Sequence, residues 1–378
     1  MVEPLIPFNK PYATGDELGY IQEAIDNGHL SGNGPFGRRC TRWLEEQVGS
    51  RRAFLMSSGT AALEMAALLL DLGPGDEVIM PSFTFVTTAS AVARQGATPV
   101  FVDIRPDTLN IDVGAVEAAI TPRTRAVMPV HYAGVGCDMD ALGELAGARG
   151  LTVVEDAAQG LLSTHSGRPL GSFGELSCVS FHETKNVTAG EGGALLVNVD
   201  ELVERAEVVQ QKGTDRSRFL RGEVDRYTWV DLGSSFLTSE INAAFLWAQL
   251  EKAQEITALR LATWNTYHSA FAALDDGVAT GPVVPDRCSH NAHMYYLLLS
   301  GRSARDRLIA GLADRGVQAV FHYVPLHSSP AGRRFGRAAG PLPVTDSVSD
   351  RLVRLPLWAG MSAEQVDRVV AETMAELS

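Results

Sequence analysis

The sequence predicts an α/β protein, with a large domain around a mostly parallel sheet and a smaller C-terminal α+β domain. Three observations carry this reading. Between residues 77 and 199 short apolar segments alternate with helical stretches, the order of a parallel sheet with helical crossovers. Those segments do not alternate strictly with polar residues, as suits strands covered on both faces. From residue 294 a second, shorter strand and helix run follows, and 378 residues exceed one minimal core. The boundary falls near 250, giving units 1–250 and 251–378.

Residues 17–24 and 36–48 have helical spacing and flank the glycine-rich loop 28–34. Ser57, Ser58, Gly59 and Thr60 form a polar turn opening a helix over 61–70, rich in Ala, Leu and Met. The alternation then runs strand 77–80, helix 82–94, strand 98–103, helix 113–120, strand 126–131, helix 139–149, strand 151–156, then strands 176–181 and 193–199. Over 212–239 no period is clean, and Arg216, Arg218, Arg221 and Arg226 make the stretch locally basic. A loop this long is usually functional or interfacial. One or two long helices cover 240–274. The small domain reads as strand 294–299, helix 304–315, strand 317–323 and a last helix to 377, headed by a Ser362 and Gln365 capping box.

Lys and Arg number 32 against 45 Asp and Glu, a net charge of −13. Such a chain is a poor partner for nucleic acid, since nothing offsets the repulsion of the phosphates. Cys40, Cys137, Cys178 and Cys288 lack a CxxC spacing. That argues against a metal site or a disulfide framework and for reduced thiols in a cytoplasmic setting. Residues 1–10 lack the pattern of an export signal, and no apolar run approaches a membrane span.

Lys185 stands just past the strand 176–181, ahead of Gly190, Gly192 and Gly193. A lysine amine condenses with carbonyl groups; the permanently protonated arginine does not. Taken alone, a loop lysine is more often simply solvated. Asp156 ends the apolar strand 151–156, where a carboxylate is costly unless paired. The pyridine nitrogen of pyridoxal phosphate needs such a partner; a turn-capping aspartate is the plainer alternative. Gln159, one short turn on, can donate to the ring hydroxyl. At 57–60 the first N–H groups of a helix either seat a phosphate or make an ordinary N-cap. Phe83 and Phe85 follow the strand 77–80, and either can stack on a planar ring or join the core.

Phosphate seat, aromatic, acid and lysine, in that chain order, match the fold type I aminotransferase arrangement. The chain carries NKPY at 9–12, LEMAALLLD at 63–71, PGDEVIMPSFTFV at 74–86, PVHYAG at 129–134 and VVEDAAQG at 153–160. SFHETKN at 180–186, GEGG at 190–193, RYTWVDLGSSFL at 226–237, NAHMYY at 291–296 and VFHYVPLH at 320–327 follow. On these motifs the chain resembles the DegT/DnrJ/EryC1/StrS sugar aminotransferases from residue 6 to the end. Within them it is most similar to the TDP-4-oxo-6-deoxy-D-glucose transaminases, the WecE (RffA) group.

The resemblance implies fold type I, a seven-stranded central sheet, pyridoxal 5'-phosphate as cofactor and a homodimer with its active site at the subunit interface. It makes Lys185 the cofactor-bearing lysine and proton shuttle, Asp156 the partner of the pyridine nitrogen and Gln159 that of the ring oxygen. Ser58, Gly59, Thr60 and Ser180 become the phosphate site, and Phe85, in preference to Phe83, the stacking aromatic. His182 adjoins the pocket. Tyr323 and His327 would line the sugar side, with His322 as packed core. Arg216 and Arg218 are candidates for the diphosphate, or else part of a solvated or dimer surface. Many members read Gly-Tyr-Asn-Tyr-Arg where this chain has Gly-Ser-Ser-Phe-Leu at 233–237. Ser235 thus stands where an Asn reaches the phosphate bound by the other subunit, and Lys212-Gly213 replaces a usual His-Gly.

The implied reaction moves the amino group of L-glutamate to C4 of TDP-4-keto-6-deoxy-D-glucose, with the gluco or galacto outcome open. One rival is dehydration, performed by a family branch that lacks the lysine; Lys185 opposes it. The other is a catalytically silent binding module on the same fold, opposed by the intact Lys185, Asp156 and Gln159.

Overall fold

The computed structural model describes residues 5–378, so part of the 1–10 segment read for an export signal lies outside the described residues. Seven strands build the central sheet. Their order is Arg52–Met56, Gly193–Val197, Leu176–Ser180, Thr152–Asp156, Thr124–Val127, Glu77–Pro81 and Thr98–Val102. Gly193–Val197 runs antiparallel to both neighbours and the other pairings are parallel. An eighth strand of two residues, Arg337–Ala338, comes from the C-terminal part and extends the edge beside Thr98–Val102. It is absent from the sequence reading because two residues carry no period.

Both faces of the sheet are covered, which is why its strands are apolar throughout. Helix Gly59–Leu69 buries Ala62, Met65 and Ala66 in one core with Phe54, Met56, Leu176 and Leu195. The alternate strand residues Ala53, Leu55, Val179 and Leu196 meet Phe36, Leu44, Ala244 and Leu246 of helices Pro35–Val48 and Glu240–Glu251.

Some elements differ from expectation. The helix expected from 82 starts at Val86, because residues 82–85 continue past the strand end and carry Phe85 with them. The 212–239 loop holds one short helix, Arg216–Leu220. The stretch 240–274 is two helices, Glu240–Glu251 and Ala253–Phe271. The strand expected over 317–323 is extended chain with single bridges, Ile6 with Val317 and Val320 with Arg354.

The small sheet is antiparallel, with Tyr295–Leu299 between Ala279–Thr280 and Leu352–Leu355. Its core gathers Trp264, Tyr267, Tyr295, Leu297 and Val369, with Ile6 from the far end of the chain. Ser362 and Gln365 form the expected capping box on helix Ala363–Leu377. All four cysteines are free thiols. No described helix is long and apolar enough to cross a membrane.

Candidate active site

The carboxyl ends of Glu77–Pro81, Thr152–Asp156 and Leu176–Ser180 open onto a cleft of about 750 Å³, where α/β sheets hold ligands. Strand register builds one end of it. Met56 and Ser180 both pair with Gly193, so the turn after Met56 is brought against Ser180. A Cβ on Gly59 would lie 2.9 Å from the Cβ of Ser180, and one on Gly193 only 2.4 Å from the backbone N of Gly59. Both positions therefore need glycine. Ser58 caps helix Gly59–Leu69, its Oγ accepting from the N–H of Ala61 at 3.0 Å. Ser58, Gly59, Thr60 and Ser180 thus line the cleft together, hydroxyls beside a helix N-terminus.

Asp156 is 5% exposed. Its Oδ2 accepts from Thr88 Oγ1 at 2.8 Å and its Oδ1 from the N–H of Ala158 at 3.2 Å. Burial holds its carboxyl above the usual carboxylate range, against those two bonds and the pull of Lys185. Lys185 sits in the loop joining Leu176–Ser180 to Gly193–Val197, its N–H donating to His182 O at 2.9 Å. Its ammonium forms no hydrogen bond or ion pair among the described residues. Burial lowers its pKa to about 8, with Asp156 opposing and Arg354 adding to the shift.

Gln159 is held at both ends. Its Oε1 accepts from the N–H of Ala133 at 2.8 Å and its Nε2 donates to Tyr323 Oη at 2.9 Å. Tyr323 stacks on His322, ring centroids 3.6 Å apart. His322 is buried as expected, shares a 2.7 Å hydrogen bond with Tyr132, and still lines the cleft. Burial keeps its pKa well below the ordinary range, so the imidazole is neutral. Phe85 lines the cleft and is 55% exposed, whereas Phe83 is 1% exposed and packs on Tyr132 and Tyr323. His182 lines the cleft too.

Four residues expected near the site lie away from the cleft of their own chain. His327 is turned aside by the short helical turn Leu326–Ser328. Its Nδ1 shares a 2.8 Å hydrogen bond with Ser82 Oγ, and its Nε2 lies 3.4 Å from Asp346. Arg216 and Arg218 sit on the helix Arg216–Leu220, where Arg218 is drawn to Glu204 and Glu223 at 3.6 and 3.4 Å. Ser235 is exposed on the same stretch.

Conversely, Arg260, His293 and Arg354 line the cleft without having been singled out in the sequence. His293 Nδ1 meets Asn186 Oδ1 at 3.0 Å, bracing the loop that carries Lys185. Arg260 donates to the carbonyls of Ala292 and His293 at 3.1 and 2.6 Å. The one available signal was Arg354 itself, an arginine interrupting the apolar run 352–358.

These residues fit pyridoxal phosphate. A buried carboxylate held above its usual range is stabilised by a cationic N–H, which the ring nitrogen supplies. The glycine-lined helix N-terminus suits a phosphate. An unpartnered amine of lowered pKa suits an aldehyde.

The pattern that defines the DegT/DnrJ/EryC1/StrS aminotransferase family matches residues 11–374. The chain is 34% identical over 373 residues to the spore coat polysaccharide biosynthesis protein SpsC of Bacillus subtilis (strain 168), covering 97% of this chain and 95% of that one. It is 35% identical over 372 residues to GDP-perosamine synthase of Caulobacter vibrioides, covering 97% of each. In three dimensions it matches the aminotransferase TlmJ of Streptoalloteichus hindustanus with a TM-score of 0.91, at 31% identity over 99% of each chain. With likeness of this extent in both sequence and structure, the chain belongs to the DegT/DnrJ/EryC1/StrS aminotransferase family and works with pyridoxal 5'-phosphate.

Proposed function

We propose that the enzyme transfers the amino group of L-glutamate to C4 of TDP-4-keto-6-deoxy-D-glucose. The products are a TDP-4-amino-4,6-dideoxyhexose and 2-oxoglutarate. The observation that carries amino transfer is Lys185 sharing a buried cleft with Asp156. A lysine retained there also opposes dehydration. Two things support the sugar nucleotide: the Gly-Ser-Ser-Phe-Leu segment at 233–237, as in the TDP-sugar transaminases, and the likeness to a GDP-perosamine synthase.

In this reading the cofactor, when bound, supplies the electron sink for breaking the C–H bond next to nitrogen. Asp156 keeps the ring nitrogen protonated. Gln159 Nε2 has a second hydrogen for the ring oxygen, the first being given to Tyr323. Ser58, Gly59, Thr60 and Ser180 hold the phosphate, and Phe85 covers one ring face. Lys185 Nζ, with its pKa near 8, accepts the proton from the donor's Cα and returns one to the product carbon. Tyr323 faces the sugar.

The working unit is a cytoplasmic homodimer in which Ser235, Arg216 and Arg218 serve the other subunit's cleft. The division into 1–250 and 251–378 belongs to the same proposal. Helix Ala253–Phe271 supports it, since Ala253 packs in the large unit's core while Trp264, Tyr267 and Phe271 pack in the small one.

The test is spectroscopic. L-Glutamate should remove the visible absorbance of the purified holoenzyme, and the keto sugar should restore it. The H4 couplings of the product then read gluco or galacto. A band indifferent to L-glutamate, or one that persists in Lys185→Ala, overturns amino transfer. Restoration by the GDP-linked but not the TDP-linked sugar replaces the nucleotide.

A further inference from the structure

A carboxylate buried at a strand end is costly unless hydrogen bonds or charges hold it. Asp156 forms no ion pair among the described residues. Its two hydrogen-bond donors are both neutral, the N–H of Ala158 on Oδ1 and the hydroxyl of Thr88 on Oδ2. A helical threonine can turn its hydroxyl back onto the carbonyl four residues earlier. Thr88 does not, because its helix starts only at Val86 and residue 84 lies in the non-helical segment before it. The hydroxyl crosses instead to the end of strand Thr152–Asp156, 2.8 Å from Asp156 Oδ2.

Proton counting then sets the direction of a third bond. Thr88 spends its single hydrogen on Asp156. In the 3.0 Å contact between the two threonine hydroxyls its oxygen therefore accepts, and Thr84 Oγ1 donates. The result is a one-way chain from Thr84 through Thr88 to Asp156, and all three residues are buried. Hydrogen bonds in such a chain strengthen one another away from water. The outer end is fixed as well. Ser82 Oγ accepts from the N–H of His327 at 3.0 Å, and Phe83 packs on Tyr132 and Tyr323.

A hydroxyl that donates to a carboxylate favours its charged form. Burial raises the pKa of Asp156, and the Thr88 hydroxyl is the strongest influence against that rise. With the cofactor bound, one proton lies between this carboxylate and the ring nitrogen. Whatever stabilises the carboxylate leaves the proton on the ring, where the electron sink needs it.

We propose that Thr84 and Thr88 are positioning residues for Asp156, orienting its carboxylate and keeping it the charged partner of the ring nitrogen. This rests on the proposed pairing of Asp156 with that nitrogen.

The readout is the resting holoenzyme, loaded with pyridoxal phosphate isotopically labelled at the ring nitrogen and observed by solid-state NMR without substrate. In the wild type the signal should be that of a protonated pyridine. Thr88→Val keeps the shape and removes the donor, so the signal should move downfield, toward neutral pyridine. Thr88→Ser restores the hydroxyl and should return the signal. Should Thr88→Val fail to fold, Thr88→Ala carries the same test. The first half-reaction with L-glutamate, followed through the visible band, should slow about 10- to 100-fold at saturation in Thr88→Val, as for loss of one hydrogen bond to a charged group. Half-saturation should not change, because Thr88 does not touch the amino donor. Thr84→Val should slow the step less. Added to Thr88→Val it should change nothing further, since Thr84 acts only through Thr88.

A ring nitrogen that stays protonated in Thr88→Val, a change confined to half-saturation, or a further loss in the double variant would overturn the proposal. Asp156→Asn separates it from the reading beneath it. If that substitution strips the ring proton and Thr88→Val does not, the pairing stands and the threonine chain falls. If the wild-type nitrogen is already neutral, or Asp156→Asn leaves its signal unmoved, the pairing falls and the chain falls with it.

Discussion

Lys185 has to be a nucleophile toward the cofactor aldehyde and then a proton carrier, and both roles need a neutral amine near neutral pH. Burial moves the group toward that state by lowering its pKa from 10.5 to about 8. The apoprotein should therefore take up pyridoxal phosphate at a rate that climbs with pH through about 8 and then levels. Stopped-flow absorbance over a pH series checks this; a climb that continues toward 10.5 would contradict it. Stability follows the same shift. Between about 8 and 10.5 the folded state binds fewer protons at this site than the unfolded one, so apoprotein stability rises with pH across that window. Gly193 matters for a different reason. The methyl of Gly193→Ala would sit 2.4 Å from the backbone of both Ser58 and Gly59, and backbone has nowhere to turn. The substitution should cost about 1–3 kcal/mol through overpacking. It should also displace the phosphate seat, so the variant should unfold at a lower temperature and lose its cofactor faster on dialysis.

At the scale of elements, the two units are joined through Glu77 at the head of strand Glu77–Pro81. Its carboxylate accepts from Arg337 at 2.8 and 3.1 Å, from Arg123 at 2.7 Å and from Thr121 at 2.8 Å. Arg337 begins the two-residue eighth strand, so this cluster clamps the C-terminal part onto the sheet edge. The Arg337 hydrogen bond, helped by Thr121 and Arg123 and opposed by burial, holds the Glu77 pKa at about 2. A carboxyl depressed on folding stabilises above its unfolded value of 4.5, and that gain is lost as pH falls toward about 2. Glu77→Gln should cost about 1–3 kcal/mol at neutral pH, and the gap should close in acid. Urea titrations at several pH values would show it; a gap that persists in acid would assign the loss to shape rather than charge.

The same clamp shows what local pattern can and cannot carry. The long central strands are apolar runs between turns, so their order along the chain is legible. The edge strand Arg337–Ala338 is too short, and its partner Thr98–Val102 lies far away in sequence. Glu240 is a parallel case: it accepts from the N–H groups of Gly34, Phe36 and Gly37 at 3.0, 2.7 and 2.9 Å, capping a helix remote from it in the chain. Within the cleft, Lys185, Asp156, Gln159 and the turn 57–60 adjoin strand ends and carry a local signal. Arg260, His293 and Arg354 reach it only through the packing of the second unit. His327 shares a motif with Tyr323, but the intervening turn sends it to Ser82.

At the scale of the whole molecule, the 212–239 stretch leaves Leu220, Trp229 and Leu232 at 69%, 74% and 63% exposure, with Tyr227 and Val230 each at 53%. So much apolar surface on one segment marks an interaction face. Its charges are largely spent internally, Arg218 on Glu204 and Glu223, Arg221 on Glu207 and Glu223. Apolar contact, not the basic run, should therefore drive association in the proposed homodimer. Surface ion pairs weaken with salt, whereas apolar burial does not. Sedimentation should accordingly give a dimer at low and high salt alike, and Trp229→Glu should shift it toward monomer. Because Ser235 is exposed on this stretch and outside its own cleft, the monomer should keep a folded Lys185 pocket yet turn over far more slowly. A Trp229→Glu monomer with full turnover would mean that one chain completes its own site, and Ser235 would then have no part in the chemistry.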